Sequence, residues 1–417
     1  MNKIEKGVYD LVKNNPKMKN MVRNAYQSMF DLLPDKEDYS LNPVVVKEGY
    51  FFGFHDVSPF SCDEKLILAN RLEIPLRMPV QGDPLTVGYW DSKMSNYTEI
   101  KKTYAWNYHK GCRLQWIGKE QVIFNDCIDN KLCAQIYSMN SGNFRTISYP
   151  IDSVDLKGVN ATSFSYERLN RYMPGYGYCN SDDSYLEEKD SKNTGLFIVN
   201  LLDESSKLVV SLKELSLYNR ESTMDNANHY VTHTKFSPDG ERIAFLHRWT
   251  FDDPDKRYTR LVTCKLDGSE LYVSNTTGMV SHYDWDKKNG IVAYCQVGGV
   301  DGHYVFADYK MDNPIRVAST INSDGHQSYV PDENKFVTDT YPDRRRRAKI
   351  YMVDIKNEKT YKIVDVKSPK QFQSPSLYEH WACDLHPRVS PLGNYICFDS
   401  VHTGKRALCV MSIVGEK

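Results

Sequence analysis

A histidine recurs ahead of a turn in this chain, and that recurrence limits the folds open to it. His233 opens His-Thr-Lys-Phe-Ser-Pro-Asp-Gly, His326 opens His-Gln-Ser-Tyr-Val-Pro, His386 opens His-Pro-Arg-Val-Ser-Pro, and His282 opens His-Tyr-Asp-Trp-Asp-Lys. Each stands four residues before the Ser, Asp or Val that begins a turn, and an apolar strand tends to follow. The turn openers Ser237, Asp286, Val330 and Ser390 are 49, 44 and 60 residues apart. The first two gaps match the roughly 40–50 residues of a four-stranded propeller blade, and the third calls for a longer loop. A histidine at one point of successive blades meets its copies on the ring axis, where a metal site can be built.

The rest of the chain fits a ring of such units. Residues 1–36 carry a helical pattern, with Val8, Leu11 and Val12 at i, i+3, i+4 and a second apolar face from Met21 to Leu32, ended by Pro34. Six Lys/Arg against three Asp/Glu over residues 1–32 make it mildly basic. It reads as a helical appendage (1–42), with weak peripheral membrane contact as its other use. From residue 43 onward, short β runs alternate with turns. Seven units are expected, at about 49–108, 112–151, 152–215, 228–278, 279–320, 321–372 and 379–416. The third is irregular, and its polar insertion around Asn180–Asn193 would cap the channel or stay disordered. The last offers three strands, Asp384–Val389, Tyr395–Ser400 and Ala407–Ile413. Val44–Lys47 has no partner of its own and can close that blade's open edge. The expected fold is all-β, a seven-bladed β-propeller over 43–417 with a short helical N-terminal appendage. Trp116 and Trp285 read as blade core, and Asn125-Asp126 as a turn.

Composition narrows the function. A net charge of -1 on 417 residues gives no global field for nucleic acid. The 10 Cys form no C-x-x-C pair, which suits a reduced, cytoplasmic protein. No export signal is visible, and no stretch approaches the ~20 apolar residues of a membrane span.

The turn Ser237-Pro238-Asp239-Gly240 and the run Leu385-His386-Pro387-Arg388-Val389-Ser390-Pro391, followed by Ile396-Cys397-Phe398-Asp399-Ser400, resemble propellers of the Tol system and, more strongly, the oligogalacturonate lyases. The resemblance covers 228–416 best and 50–220 weakly. It implies a manganese ion, or another divalent metal, held at the centre by three histidines and a glutamine, and cleavage of acidic sugar chains by β-elimination. The family's last blade reads Gln-x-x-His-x-His-Pro. His386 matches its second histidine, Asp384 stands in place of the first, and Trp381 replaces the glutamine. His282 fits the remaining ligand. His326 matches no family ligand and joins the metal candidates by its register alone.

The chemistry asks for further groups. A base must reach the proton alpha to a uronate carboxylate, and His233 has the frame to face the same mouth, with His229 a second candidate in the substrate site. Arg168 and Arg171 precede an aromatic stretch with Tyr176 and Tyr178, where arginines pair with carboxylates and rings stack on sugars. Arg344–Arg347, expected in the hairpin loop between the second and third strands of the sixth blade, form an anion clamp or a solvated basic loop; Arg344 and Arg345 are taken as substrate contacts. His55 and His380 lie near the histidine register but offset from it, while His109, His247, His303 and His402 read as strand-edge or loop residues. Two function classes stay open. One is a metal-dependent lyase acting on uronate-containing glycan. The other is a non-catalytic propeller that binds glycan or protein, for example in surface-polysaccharide assembly. Stoichiometric metal separates them. A hydrolase reading is set aside because no Gly-x-Ser-x-Gly elbow occurs.

Overall fold

The structure, a computed structural model, describes residues 36–414 apart from 181–182, 252–255, 332–333 and 377, together with residues 22 and 25. The expected helical appendage therefore lies almost wholly outside the described residues. Seven antiparallel sheets follow one another along the chain. Blade one runs from Tyr50–Phe51 to Tyr97–Thr103, blade two from Gln115–Ile117 to Phe144–Ile147, and blade four from Asn228–Phe236 to Tyr272–Val273. Blade five runs from Val280–Trp285 to Ile315–Val317, and blade six from Ser328–Tyr329 to Lys359–Lys367. Blade three has three strands, Asn160–Ser163, Gly195–Asn200 and Ser206–Ser211.

The ring closes as the orphan strand requires. Val44–Glu48 pairs antiparallel with Ala407–Ser412, Val46 opposite Cys409, and completes blade seven outside Tyr395–Ser400 and Arg388–Val389. A two-residue strand, Asp38–Tyr39, begins ahead of residue 43 and adds a fifth strand to blade six.

Neighbouring blades are stitched by one recurring position. The fifth residue of the second strand is Asn70, Asn125, Asp339 and Asp399 in blades one, two, six and seven. Asn125 is thus mid-strand rather than in a turn. Its amide oxygen accepts from the Ile151 N–H at 2.7 Å. The Asp339 carboxylate accepts from the N–H groups of His326 (2.7 Å) and His386 (2.9 Å). Asp399 accepts from those of Phe52 and Gly53. Innermost strands have no sheet neighbour on the axial side, so buried side-chain oxygens satisfy N–H groups that would otherwise be left bare. The tryptophans do the same from the other side. The Trp116 indole donates to the Pro59 carbonyl of blade one, and that of Trp285 to the Lys235 carbonyl of blade four.

Candidate functional site

Backbone irregularities aim the recurring histidines inward. Strand register slips between Thr232 and Lys235 in blade four and between Val280 and His282 in blade five. Such bulges turn a side chain out of the normal alternation. His233 and His386 also take left-handed φ values of 54° and 44°. With His326, which enters blade six without such an irregularity, four rings from blades four to seven gather around the buried Phe54. Its centroid lies 4.6 Å from His233, 5.9 Å from His282, 5.8 Å from His326 and 5.0 Å from His386. His55 joins them at 4.5 Å. The His282 and His326 centroids are 3.9 Å apart, and those of His326 and His386 4.2 Å. Phe54 reaches the axis because Gly53 (φ 124°) packs directly on blade two, where a Cβ would meet the Lys110 carbonyl carbon at 2.9 Å.

Hydrogen bonds fix which ring nitrogen is bare. Nδ1 of His55 lies 2.7 Å from the Gln327 carbonyl oxygen, and that of His386 2.8 Å from the Gly53 carbonyl oxygen. Nδ1 of His326 lies 2.9 Å from Asp339 Oδ1, and that of His282 3.3 Å from Asp324 Oδ1. These oxygens only accept, so each Nδ1 donates, and Nε2 keeps its lone pair wherever the ring is neutral. Nε2 of His233, His326 and His386 is buried without a hydrogen-bond partner. Burial pushes the pKa of His55, His233 and His386 well below the ordinary value and holds His282 at about 4. His326 is the exception. Burial lowers it, but the Asp339, Asp384 and Asp324 carboxylates more than reverse this. The Asp384 carboxyl is pushed up to about 6, mainly by burial.

Above this cluster opens a mouth of about 790 Å³, formed by segments entering the inner strands and by loops between second and third strands. His282, Asp384, His380, Tyr176 and Tyr341 border it, with the guanidiniums of Arg171, Arg248, Arg257 and Arg346. The long segment between the first two strands of blade three, which includes the polar insertion, supplies one wall through residues 171–174 and 176. Its helix Tyr166–Tyr172 starts on a Ser165 cap, and Gly175 lets the following turn reach the His380 segment, where a Cβ would meet His380 Cβ at 2.9 Å. Arg248 is buried at 3% exposure, touches the Ser281 carbonyl at 3.3 Å and the Met173 sulfur, and has an unpartnered Nε. Among the described residues, neither Arg248 nor Arg257 pairs with a carboxylate.

The expected residues divide by placement. His233, His282, His326, His386 and Asp384 come together at the axis; Arg171 and Tyr176 line the mouth, Arg171 paired with Glu187 at 2.6 Å. Arg344 and Arg345 lie in the expected blade-six loop, exposed and outside the lining, whereas their neighbour Arg346 is within it, bonded to Ser368. The structure brings neither Arg168 nor His229 to the mouth. Arg168 is buried in the insertion, 3.0 Å from Asp183 and bonded to the Glu188 and Tyr185 carbonyls. His229 stands at the entry end of its strand, opposite Trp249, but its buried ring lies 2.9 Å from His247 Nε2 and does not border the cavity. Trp381, at the glutamine position, donates to the Gln371 carbonyl and offers no ligand. Sequence reasoning set His380 near the histidine register but offset from it and His109 among strand-edge or loop residues, and gave neither a place in the site. It also missed Arg248, whose signal was a lone charge inside the apolar run Phe245-Leu246-His247-Arg248-Trp249.

No protein-family model matches the sequence, and no curated protein matches it. Solved structures do. An oligogalacturonate lyase in complex with manganese superposes with a TM-score of 0.63 at 12% identity, covering 92% of this chain and 97% of that one. The oligogalacturonate lyase of Vibrio parahaemolyticus gives 0.59 at 12% identity, over 91% and 97%. The tricorn protease gives 0.51 at 11%, over 91% of this chain and 34% of its own. At such identities the likeness is one of fold: a seven-bladed propeller of the oligogalacturonate lyase kind.

Proposed function

We propose that the mouth binds a uronate-containing oligo- or polysaccharide and cleaves it by β-elimination. One juxtaposition carries the reading. An oriented imidazole, His282, borders the same cavity as two guanidiniums, Arg248 and Arg257, that have no carboxylate partner among the described residues. Each uronate brings a carboxylate that can complete those arginines, and the exposed Tyr341 offers a ring face to a sugar. Asp324 holds Nδ1–H of His282, and a pKa of about 4 leaves the ring unprotonated at neutral pH. The base role therefore passes from His233, which packs against Phe54 and does not border the cavity, to His282. The base removes the proton alpha to the carboxylate. The C–H electron pair forms the ring double bond, the bond from the β-carbon to the departing oxygen breaks, and that oxygen is protonated.

The residues present also fit a divalent ion. His386 Nε2 is buried and unpartnered beside the Asp384 carboxylate, and imidazole with carboxylate suits manganese or zinc. Bound there, the ion would neutralise the substrate carboxylate and the enolate charge that develops.

With manganese supplied, the wild-type protein should release an ultraviolet-absorbing unsaturated product from an oligouronate. His282→Ala should slow that release by about 10²–10⁴-fold. The arginine-lined mouth also supports a second reading, a glycan-binding platform without chemistry. Oligouronate binding with metal present and no product would establish that reading and sink elimination.

A further inference from the structure

We infer that the propeller holds a divalent transition-metal ion between His109, Asp384 and His386, with His109 recruited from the loop that leads into blade two. The inference deepens the metal part of the reading above and does not depend on elimination.

Three observations meet at this point. First, one ligand atom from each of the three side chains lies within 4.8 Å of the others. Asp384 Oδ2 is 3.8 Å from His109 Nδ1 and 4.0 Å from His386 Nε2. Bonds of about 2.0–2.2 Å to a shared ion place ligand atoms at most roughly 4.4 Å apart, so this spacing needs little adjustment. Among the described residues it is the one group of three or more metal-ligating side chains so placed; His282 and His326 fall outside it.

Second, all three donors lack other partners. His109 Nδ1 and His386 Nε2 are buried and unpartnered. The Asp384 carboxylate, 7% exposed, receives no hydrogen bond from the described residues. Buried polar groups left in this state are costly unless a ligand completes them.

Third, the opposite nitrogen of each imidazole is held. His386 Nδ1 donates to the Gly53 carbonyl, and His109 Nε2 is hydrogen-bonded to His380 Nδ1. The His109 ring is stacked on Tyr176, centroids 4.4 Å apart. Metal-bound histidines are oriented by such outer contacts. Asp384 and His380 border the mouth, so the ion's remaining positions face the cavity. Two imidazoles and one carboxylate favour manganese, iron(II), cobalt or zinc over calcium or magnesium.

The test uses the full chain stripped with chelator and titrated with Mn²⁺, followed by loss of the free-ion paramagnetic resonance signal. Co²⁺ is titrated in parallel, followed by its visible absorption. The wild type should take up one ion per chain. His109→Ala and Asp384→Asn should bind at least about tenfold more weakly, with an altered Co²⁺ spectrum, while His282→Ala binds as the wild type does. Metal should raise the melting temperature of the wild type and not of His109→Ala, and the metal-free melt shows that each variant folds; His109→Gln stands in if His109→Ala does not. No ion on the wild type, or wild-type affinity in the His109 variant with loss in His282→Ala, overturns the site. An ion bound at His109 without unsaturated product keeps this site and removes the lyase reading. Product formed with His109 irrelevant to binding does the reverse.

Discussion

Arg248 and Arg168 are both guanidiniums buried to within a few per cent of full enclosure, yet they answer different demands. Arg168 is matched by Asp183 and two carbonyls inside one insertion. Removing it strands the Asp183 carboxylate, so Arg168→Ala should cost about 3–5 kcal/mol of stability by urea unfolding. Arg248 keeps the Ser281 carbonyl but has no carboxylate counterpart among the described residues, and burial lowers its pKa from the ordinary guanidinium value. A buried charge left incomplete is held at a cost to folding that an anionic ligand would offset. Arg248→Met should therefore leave stability unchanged or raised, and should weaken oligouronate binding about tenfold or more. Equal stability losses in the two variants would make Arg248 a structural residue. Nothing in the sequence distinguished them. Arg168 stood in a promising cluster of arginine and tyrosine, while Arg248 sat within a hydrophobic strand. Whether a charge is matched depends on contacts between segments distant in the chain, which single-residue patterns do not carry.

At the level of elements, the blades were legible because each obeys a local rule. The turn Ser237–Gly240 and the pairs that flank it follow from alternation and glycine placement, and the closing strand followed from counting strands in the last unit. The closure yields a direct expectation. Deleting residues up to Glu48 exposes the Ala407–Ser412 edge along its whole length, and an open edge pairs with other copies. The truncated chain should melt at lower temperature and scatter light as it associates, whereas deleting residues up to Lys36 leaves closure intact and should do neither. Identical melts for the two truncations would mean that blade seven holds without its outer strand. What local rules could not reach were the long connections. His109 and His380 belong to segments between blades, with no repeat to set their register. Their approach across the mouth depends on Gly175 and on the folded insertion, neither of which has a periodic signature. Asn125 misled for a related reason: asparagine favours turns on its own, but here its amide is spent on the backbone of the next blade.

For the whole molecule, gathering so many imidazoles inside one ring links stability to pH. Ten of the eleven histidines have folded-state pKa values below the ordinary value, burial being the largest cause for each. His229, His282, His303 and His380 are held at about 4. A lowered value means the unfolded chain binds more protons than the native one, so stability is full above the unfolded pKa of about 6.5 and falls as pH drops toward 4. His326 and the carboxyls of Asp384 and Asp399 act in the opposite sense, because their folded values are raised. Ten groups against three leave a net loss. Each uncompensated proton contributes about 1.4 kcal/mol per pH unit. The urea midpoint of metal-free protein should hardly move between pH 8 and 7, then fall steeply below pH 6.5. His303, whose ring accepts from Gln327 and lies away from the mouth, isolates one such proton. His303→Gln should make the descent shallower by up to ~1.4 kcal/mol per pH unit. A flat midpoint from pH 6.5 to 5 would mean that the native ring takes up these protons freely, which is incompatible with imidazoles sealed around Phe54.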